Sequence, residues 1–276
     1  MKFSISARIA EGFLSKREAV LTLSELAEVA RTAGYDALCM RASQIGVHSP
    51  PEEVKQAGEI IRNHGLEVTM ISGDFDIVYN NDDGPNCLRK ITPYLDFAET
   101  LGAAMIRVCI KTEEDIAHAQ RASDEAAERG LKLVHQCHVQ SLFETVEQIF
   151  DRLRQINRNN FGLIYEAANL EECHQVYGPD TIRRLGPKIF NVYLQNQQIN
   201  RNGAVTLDTW SHGPVSFDII DIPDAGGIRF DDVFEGLRGI GYSGIVTVHQ
   251  SAPENDATTP AESARKTRDF LQTLVH

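Results

Sequence analysis

The chain has 276 residues, 42% hydrophobic and 24% charged, too apolar for a disordered polymer and too polar for a membrane-embedded one. Lysine and arginine number 27 against 39 aspartates and glutamates, giving a net charge of −12. That balance argues against nucleic acid or a membrane surface as the main partner, while leaving room for a small anion held by local arginines.

From the N-terminus, β-rich runs fall at Phe3–Ser6, Ala37–Met40, Glu67–Ile71, Met105–Ile110, Lys132–Cys137, Gly162–Glu166, Ile189–Gln195 and Ile245–Gln250. Helical spacing fills the intervals. Leu21–Arg31 carries a periodic apolar face and ends at Gly34, and Pro51–Ile61 opens with proline and two acids and stops at Gly65. Further helices are predicted over 90–101, 113–129, 229–239 and 260–275, with a weaker one near 171–185. Leu142–Leu153 is predicted helical with Ser141 as N-cap and Glu144 as its capping-box partner. The polar runs Asn80–Asp83 and Glu113–Asp115 read as solvated surface. Two connections are long: Ser72–Pro85, expected to form part of a rim, and the turn-rich Asn196–Gly227, which holds Trp210 and His212. Loops of that length in a compact domain are usually functional, so 196–227 is read as a lid.

Five widely spaced cysteines form no Cys-x-x-Cys pair, and Cys39, Cys109 and Cys137 lie in apolar strand-like runs. No apolar run approaches the ~20 residues of a membrane helix, and the first residues enter a strand-like alternation directly. These features read as a reduced cytoplasmic protein. Eight strands, each followed by a helix and with no linker, make a single-domain α/β fold over 1–276, a (β/α)8 barrel. The rival, a doubly wound open sheet, usually has a Gly-rich first turn, whereas here that turn is Ala7-Arg-Ile-Ala-Glu-Gly.

In such a barrel the chemistry projects from the carboxyl ends of the strands. That rule selects Arg41, Arg107, Gln136, His138, Glu166, Tyr193 and His249, with Trp210 and His212 over them. Alternation puts Gln136 and His138 on one face of strand five and His135 and Cys137 on the other. Glu166 needs a cation, a proton or a hydrogen bond, and Arg107 is its most economical structural partner. His249 has an imidazole suited to general-base work, although a packed neutral histidine is the plainer alternative. No Gly-x-Ser-x-Gly elbow, P-loop or His-Glu-x-x-His is present.

The order of Gly34-Tyr-Asp-Ala, Gly65-Leu-Glu-Val, Leu101-Gly-Ala-Ala before Ile106-Arg-Val, and Gly239-Ile-Gly-Tyr-Ser-Gly before Ile245-Val-Thr-Val-His-Gln resembles the xylose-isomerase-like barrel superfamily across the whole chain. That superfamily comprises sugar (phosphate) isomerases and epimerases, with endonuclease IV-type enzymes as distant relatives. The resemblance implies a divalent metal held by glutamate, aspartate, histidine and glutamate on strands five to eight. Those positions fall here on Gln136, Glu166, Tyr193 and His249, with His138 close by. One carboxylate in place of three weakens the case for a hard ion.

Three readings stand open. A site rebuilt from Glu166, His249, His138 or His212, and Gln136 would hold one divalent ion (Zn, Mn, Fe, Co or Ni), the nitrogen-rich set suiting Zn, Fe, Co or Ni best. Without a metal, Glu166 and His249 would do acid–base work directly, with Gln136, His138 and Tyr193 on substrate oxygens, Arg107 or Arg41 on an anionic substituent, and Trp210 and His212 on the lid. In the third, the barrel binds a sugar without catalysis. The expected activity is isomerisation or epimerisation of a small keto-sugar or sugar acid by proton transfer next to a carbonyl, with elimination or decarboxylation as the alternative. A repair nuclease fits poorly with the charge, and the resemblance leaves self-association into a homo-oligomer open.

Overall fold

A computed structural model describes residues 1–12, 15–252 and 259–275. Barrel strands β1 (Lys2–Ser6), β2 (Ala37–Arg41), β3 (Glu67–Ser72), β4 (Ala103–Val108), β5 (Lys132–Gln136), β6 (Phe161–Glu166) and β7 (Ile189–Leu194) alternate with helices. An excursion of three short strands, β8 (Gln197–Ile199), β9 (Val205–Thr209) and β10 (Gly213–Ile219), precedes the last barrel strand, β11 (Ile245–Val248). The eight barrel strands close in the order β1-β11-β7-β6-β5-β4-β3-β2, and every pairing is parallel. The eight-stranded barrel follows the sequence pattern, with boundaries shifted by at most two residues.

The helices are α1 (Leu23–Ala33), α2 (Pro51–Asn63), α3 (Phe75–Tyr79), α4 (Asn86–Arg89), α5 (Thr92–Leu101), α6 (Glu114–Glu128), α7 (Val146–Ile156), α8 (Ala167–Glu172), α9 (Pro179–Leu185), α10 (Phe230–Gly239) and α11 (Pro260–Leu274). Helix α1 starts on a capping box of Thr22 and Glu25 and stops where Gly34 takes a left-handed φ of 82°. The predicted helix near 171–185 resolves into α8 and α9, broken by a turn around His174, whose φ is 55°.

Two layers of apolar side chains hold the barrel. The larger, between strands and helices, includes Ile5, Leu38, Ile106, Leu133, Leu163 and Val192, all essentially inaccessible. Inside the barrel Cys39, Met70, Met105, Val134, Ile164 and Tyr193 pack together. All five cysteines are buried and unpaired. Because successive strand residues point to opposite faces, the positions two residues beyond this inner layer share its direction. These are Arg41, Ser72, Arg107, Gln136, Glu166 and Gln195, so one apolar plug forms the floor of a polar mouth.

Three expectations are corrected. Helix α7 begins at Val146 on a Thr145–Gln148 capping box, not on Ser141 and Glu144. Both tetrads satisfy the capping pattern, but Ser141 is spent on the His138 carbonyl, and Glu144 accepts from the backbone N–H groups of Gln140, Trp210 and Ser211. Asn80 is buried, with its side chain donating to the Val139 carbonyl at 3.1 Å and accepting from Cys109 Sγ at 2.8 Å. Asp115 is fully buried too, accepting from the N–H groups of Lys111 and Thr112 and pairing with Arg89. The remaining acids at 82, 83, 113 and 114 are exposed.

The excursion at 196–227 is a small antiparallel sheet, order β8-β10-β9. At its neck Asn196 Nδ2 donates to the carbonyls of Asp221 and Asp224 while its Oδ1 accepts from the N–H of Ile228. Gln250 closes the same neck, accepting from the N–H of Asn196 at 2.7 Å and donating to the Ile220 carbonyl at 2.8 Å. Gly227 is required there: a Cβ would lie 2.1 Å from Asn196 Oδ1. The far end is pinned by Glu144. Leu207 and Phe217 turn inward over the barrel mouth.

Candidate active site

At the carboxyl ends of the strands lies a cavity of about 280 Å³, room for a small carbohydrate. Its lining carries the cations Arg8, Lys16, Arg41 and Arg107 together with Gln136, His138, Asn169, Glu172 and His249. Val78, Tyr79 and Asn80 from the connection after β3 supply part of the rim, as the sequence suggested.

Glu166 ends β6, wholly buried immediately behind the lining. The amides of Gln136 and Asn169 both donate to its Oε2, the latter at 2.6 Å, and its Oε1 has no partner among the described residues. Burial raises its pKa to about 7 against the pull of those amides and of the Arg107 charge. Glu172, on α8, is buried at the cavity wall; burial and the neighbouring Glu166 charge raise it to about 8.

His249 lines the cavity with its ring stacked on Tyr193, centroids 3.9 Å apart, and its Nδ1 3.1 Å from Ser6 Oγ. Burial and then the charges of Arg41 and Arg107 push its pKa well below the ordinary 6.5, so it stands neutral. His138 is likewise depressed by burial and Arg107. Its Nδ1 lies 2.8 Å from the Val139 carbonyl, which only accepts, and 3.2 Å from Asn80 Nδ2, which only donates; the shorter contact favours the proton on Nδ1, with Nε2 as acceptor.

Among the cations, Arg41 Nε donates to both oxygens of buried Glu11 at 2.9 and 3.0 Å, and Arg8 lies 3.5 Å from the same carboxylate. Arg107, 3% exposed, has no hydrogen bond or ion pair with any described residue; the structural Arg107–Glu166 pair that the sequence left as an alternative does not form. Lys16 has no carboxylate within ion-pair distance among the described residues; its pKa falls to about 7 through burial and the charges of Arg8, Arg41 and Arg107.

Several expected site residues are placed elsewhere. Tyr193 does not line the cavity: its hydroxyl contacts Cys39 Sγ at 3.3 Å in the barrel floor beneath His249. Trp210 is 53% exposed, with the Lys111 ammonium 5.5 Å from its ring centroid, and the His212 ring packs at a tilt against His174, so neither side chain lines the pocket. The rebuilt metal site fails on its donors. Among the described residues no three of His, Cys, Asp and Glu converge as ligands, because Glu166 is engaged by amides, His249 by Ser6, and His212 stands away. Arg8, Lys16, Asn169 and Glu172 were missed. The first two sit on an irregular connection, and the last two on a helix opening straight from β6, where strand periodicity gives no guide.

Residues 27–274 match the model of the xylose isomerase-like TIM barrel family. The chain belongs to that family. It is 21% identical over 274 residues to an inosose isomerase of Bacillus velezensis, covering 90% of each chain. It is 27% identical over 156 residues to an inosose dehydratase of Geobacillus thermodenitrificans, 55% of this chain and 51% of that one; the chain thus spans about half the length of that relative. A D-psicose 3-epimerase of Clostridium cellulolyticum, solved with D-tagatose, superposes with a TM-score of 0.74 at 15% identity, all of both chains being covered. Its likeness concerns the fold. Among the described residues, no helix is long and apolar enough to cross a membrane.

Proposed function

We propose that this barrel is an enzyme acting on a small carbonyl sugar by proton transfer at the carbon next to the carbonyl, giving isomerisation or epimerisation. The observation that carries the reading is Glu166: a fully buried carboxyl at the barrel mouth, raised to about 7, with one oxygen unpartnered among the described residues. A base of that strength is half ionised at neutral pH and suits abstraction of an activated C–H proton. Glu166 takes the proton, the C–H electron pair moves toward the carbonyl, and the enol-like intermediate is reprotonated on carbon. Neutral His249 and the amide of Gln136 hydrogen-bond the developing oxygen charge, His138 Nε2 accepts from a hydroxyl, and Phe217 and Leu207 keep the excursion sheet over the pocket as a roof against water.

Glu172 favours a second reading, elimination. A carboxyl raised to about 8 keeps its proton at neutral pH and can deliver it to a departing β-hydroxyl, which leaves as water. The names of the two curated relatives, an isomerase and a dehydratase, accord with either outcome.

Solvent-deuterium exchange tests the shared first step. Incubated in D₂O with a panel of ketoses, inososes and keto-sugar acids, the protein is expected to wash deuterium into the α-carbon of at least one, read by NMR. Glu166→Gln is expected to abolish exchange with cooperative unfolding retained, and Glu172→Gln to stop elimination while sparing exchange. Binding without exchange across the panel would favour a non-catalytic sugar-binding barrel instead.

A further inference from the structure

Four cationic side chains face one small cavity in a chain of net charge −12, and their neutralisation is incomplete. Glu11 serves Arg41 and Arg8 together, taking from Arg41 only its Nε. Arg107 and Lys16 are left without a carboxylate at ion-pair distance among the described residues. A guanidinium buried to this degree, with no carboxylate at ion-pair distance and no hydrogen-bond acceptor among the described residues, is costly unless a bound group completes it. The residues arrive from three separate places, the β1–α1 connection and the ends of β2 and β4, so chance proximity along one element does not explain the cluster.

We propose that Arg107, with Lys16 and the edge of Arg41 that Glu11 does not use, binds a carboxylate or phosphate on the sugar, making the substrate a sugar acid or sugar phosphate rather than a neutral sugar. Both groups offer paired oxygens to a planar guanidinium fork and tolerate a point-charge ammonium beside it. This rests on the cavity being the substrate site, but its readout is ground-state binding, independent of turnover.

The test uses the full chain with three probes: inorganic phosphate, D-gluconate and neutral D-glucitol, measured by titration calorimetry and thermal shift. At least one anion is expected to bind tenfold or more tightly than glucitol. Phosphate alone assigns a sugar phosphate, gluconate alone a sugar acid, and both together a subsite for the shared chemistry. Arg107→Met is expected to weaken the preferred anion at least tenfold while leaving the ligand-free Tm unchanged or raised, and Arg107→Lys to bind with intermediate affinity. Equal binding of glucitol and both anions, or undiminished anion binding by Arg107→Met, overturns the proposal. If Arg107→Met does not fold, wild-type preference and Arg107→Lys still decide. Failed deuterium exchange with the anion preference intact would remove the proposed chemistry and keep the subsite.

Discussion

Two arginines at the mouth ends of β2 and β4 show opposite economies of charge. Arg41 is neutralised inside the protein by Glu11, which also receives Ser43 Oγ at 2.5 Å. Removing one partner of a buried pair strands the other charge, at a cost of about 3–5 kcal/mol. Glu11→Gln is therefore expected to lower unfolding free energy by roughly that amount in a denaturant titration, whereas Arg107→Met removes a charge that the folded chain does not neutralise. A Glu11→Gln variant as stable as wild type would mean that Arg8 and Arg41 are satisfied otherwise. The two carboxyls set the catalytic pH range. With Glu166 as base near 7 and Glu172 as acid near 8, kcat/KM should rise through about pH 7 and fall above about pH 8. Any residual elimination by Glu172→Gln should lack the alkaline limb, and elimination at the wild-type rate with both limbs kept would exclude that residue.

At the scale of elements, the sequence made the barrel readable because its signal is repeated: eight apolar runs bounded by glycines and helix caps, each consistent with the next. The same periodicity placed Arg41, Arg107, Gln136, Glu166 and His249 at the mouth, since a strand end fixes both position and facing. It failed where tertiary bonds choose between equal local options. Ser141–Glu144 and Thr145–Gln148 have the same capping grammar, and only the bonds from Glu144 to the backbone of Trp210 and Ser211 explain why the second starts α7. Trp210 and His212 drew attention as rare residues in a polar stretch, yet the pocket-facing members are Leu207 and Phe217, on the inward side of β9 and β10. Glu144 thus acts as a clasp. Glu144→Ala should free the outer end of this sheet, seen as faster amide exchange over 205–219 and quicker tryptic cleavage after exposed Arg201, with exchange in β1–β7 unaltered. Unchanged protection would show that the neck at Asn196 and Gln250 holds the sheet alone.

Over the whole molecule, burying titratable groups at one mouth couples the site to stability, and the signs can be worked out. Glu166 and Glu172 keep their protons in the folded state to about 7 and 8, while the unfolded chain releases them near the ordinary 4.5. Between those values the folded state binds more protons, so their contribution is full below 4.5 and is lost as pH rises through 7 and 8. His138 and His249 act in reverse: both are held neutral far below 6.5, so the unfolded chain takes up protons that the folded chain refuses, and stability is lost as pH falls below 6.5. Paired comparisons isolate each slope from the other groups that titrate. The Tm of Glu166→Gln minus that of wild type should climb from pH 5 and level off above about pH 7, because the variant has no carboxyl to ionise. The corresponding difference for His249→Gln should climb instead as pH is lowered from 7 to 5. Differences that run parallel to the pH axis would mean that the two side chains meet solvent in the folded state, and a water-filled mouth of that kind could not hold Glu166 near neutrality as the base.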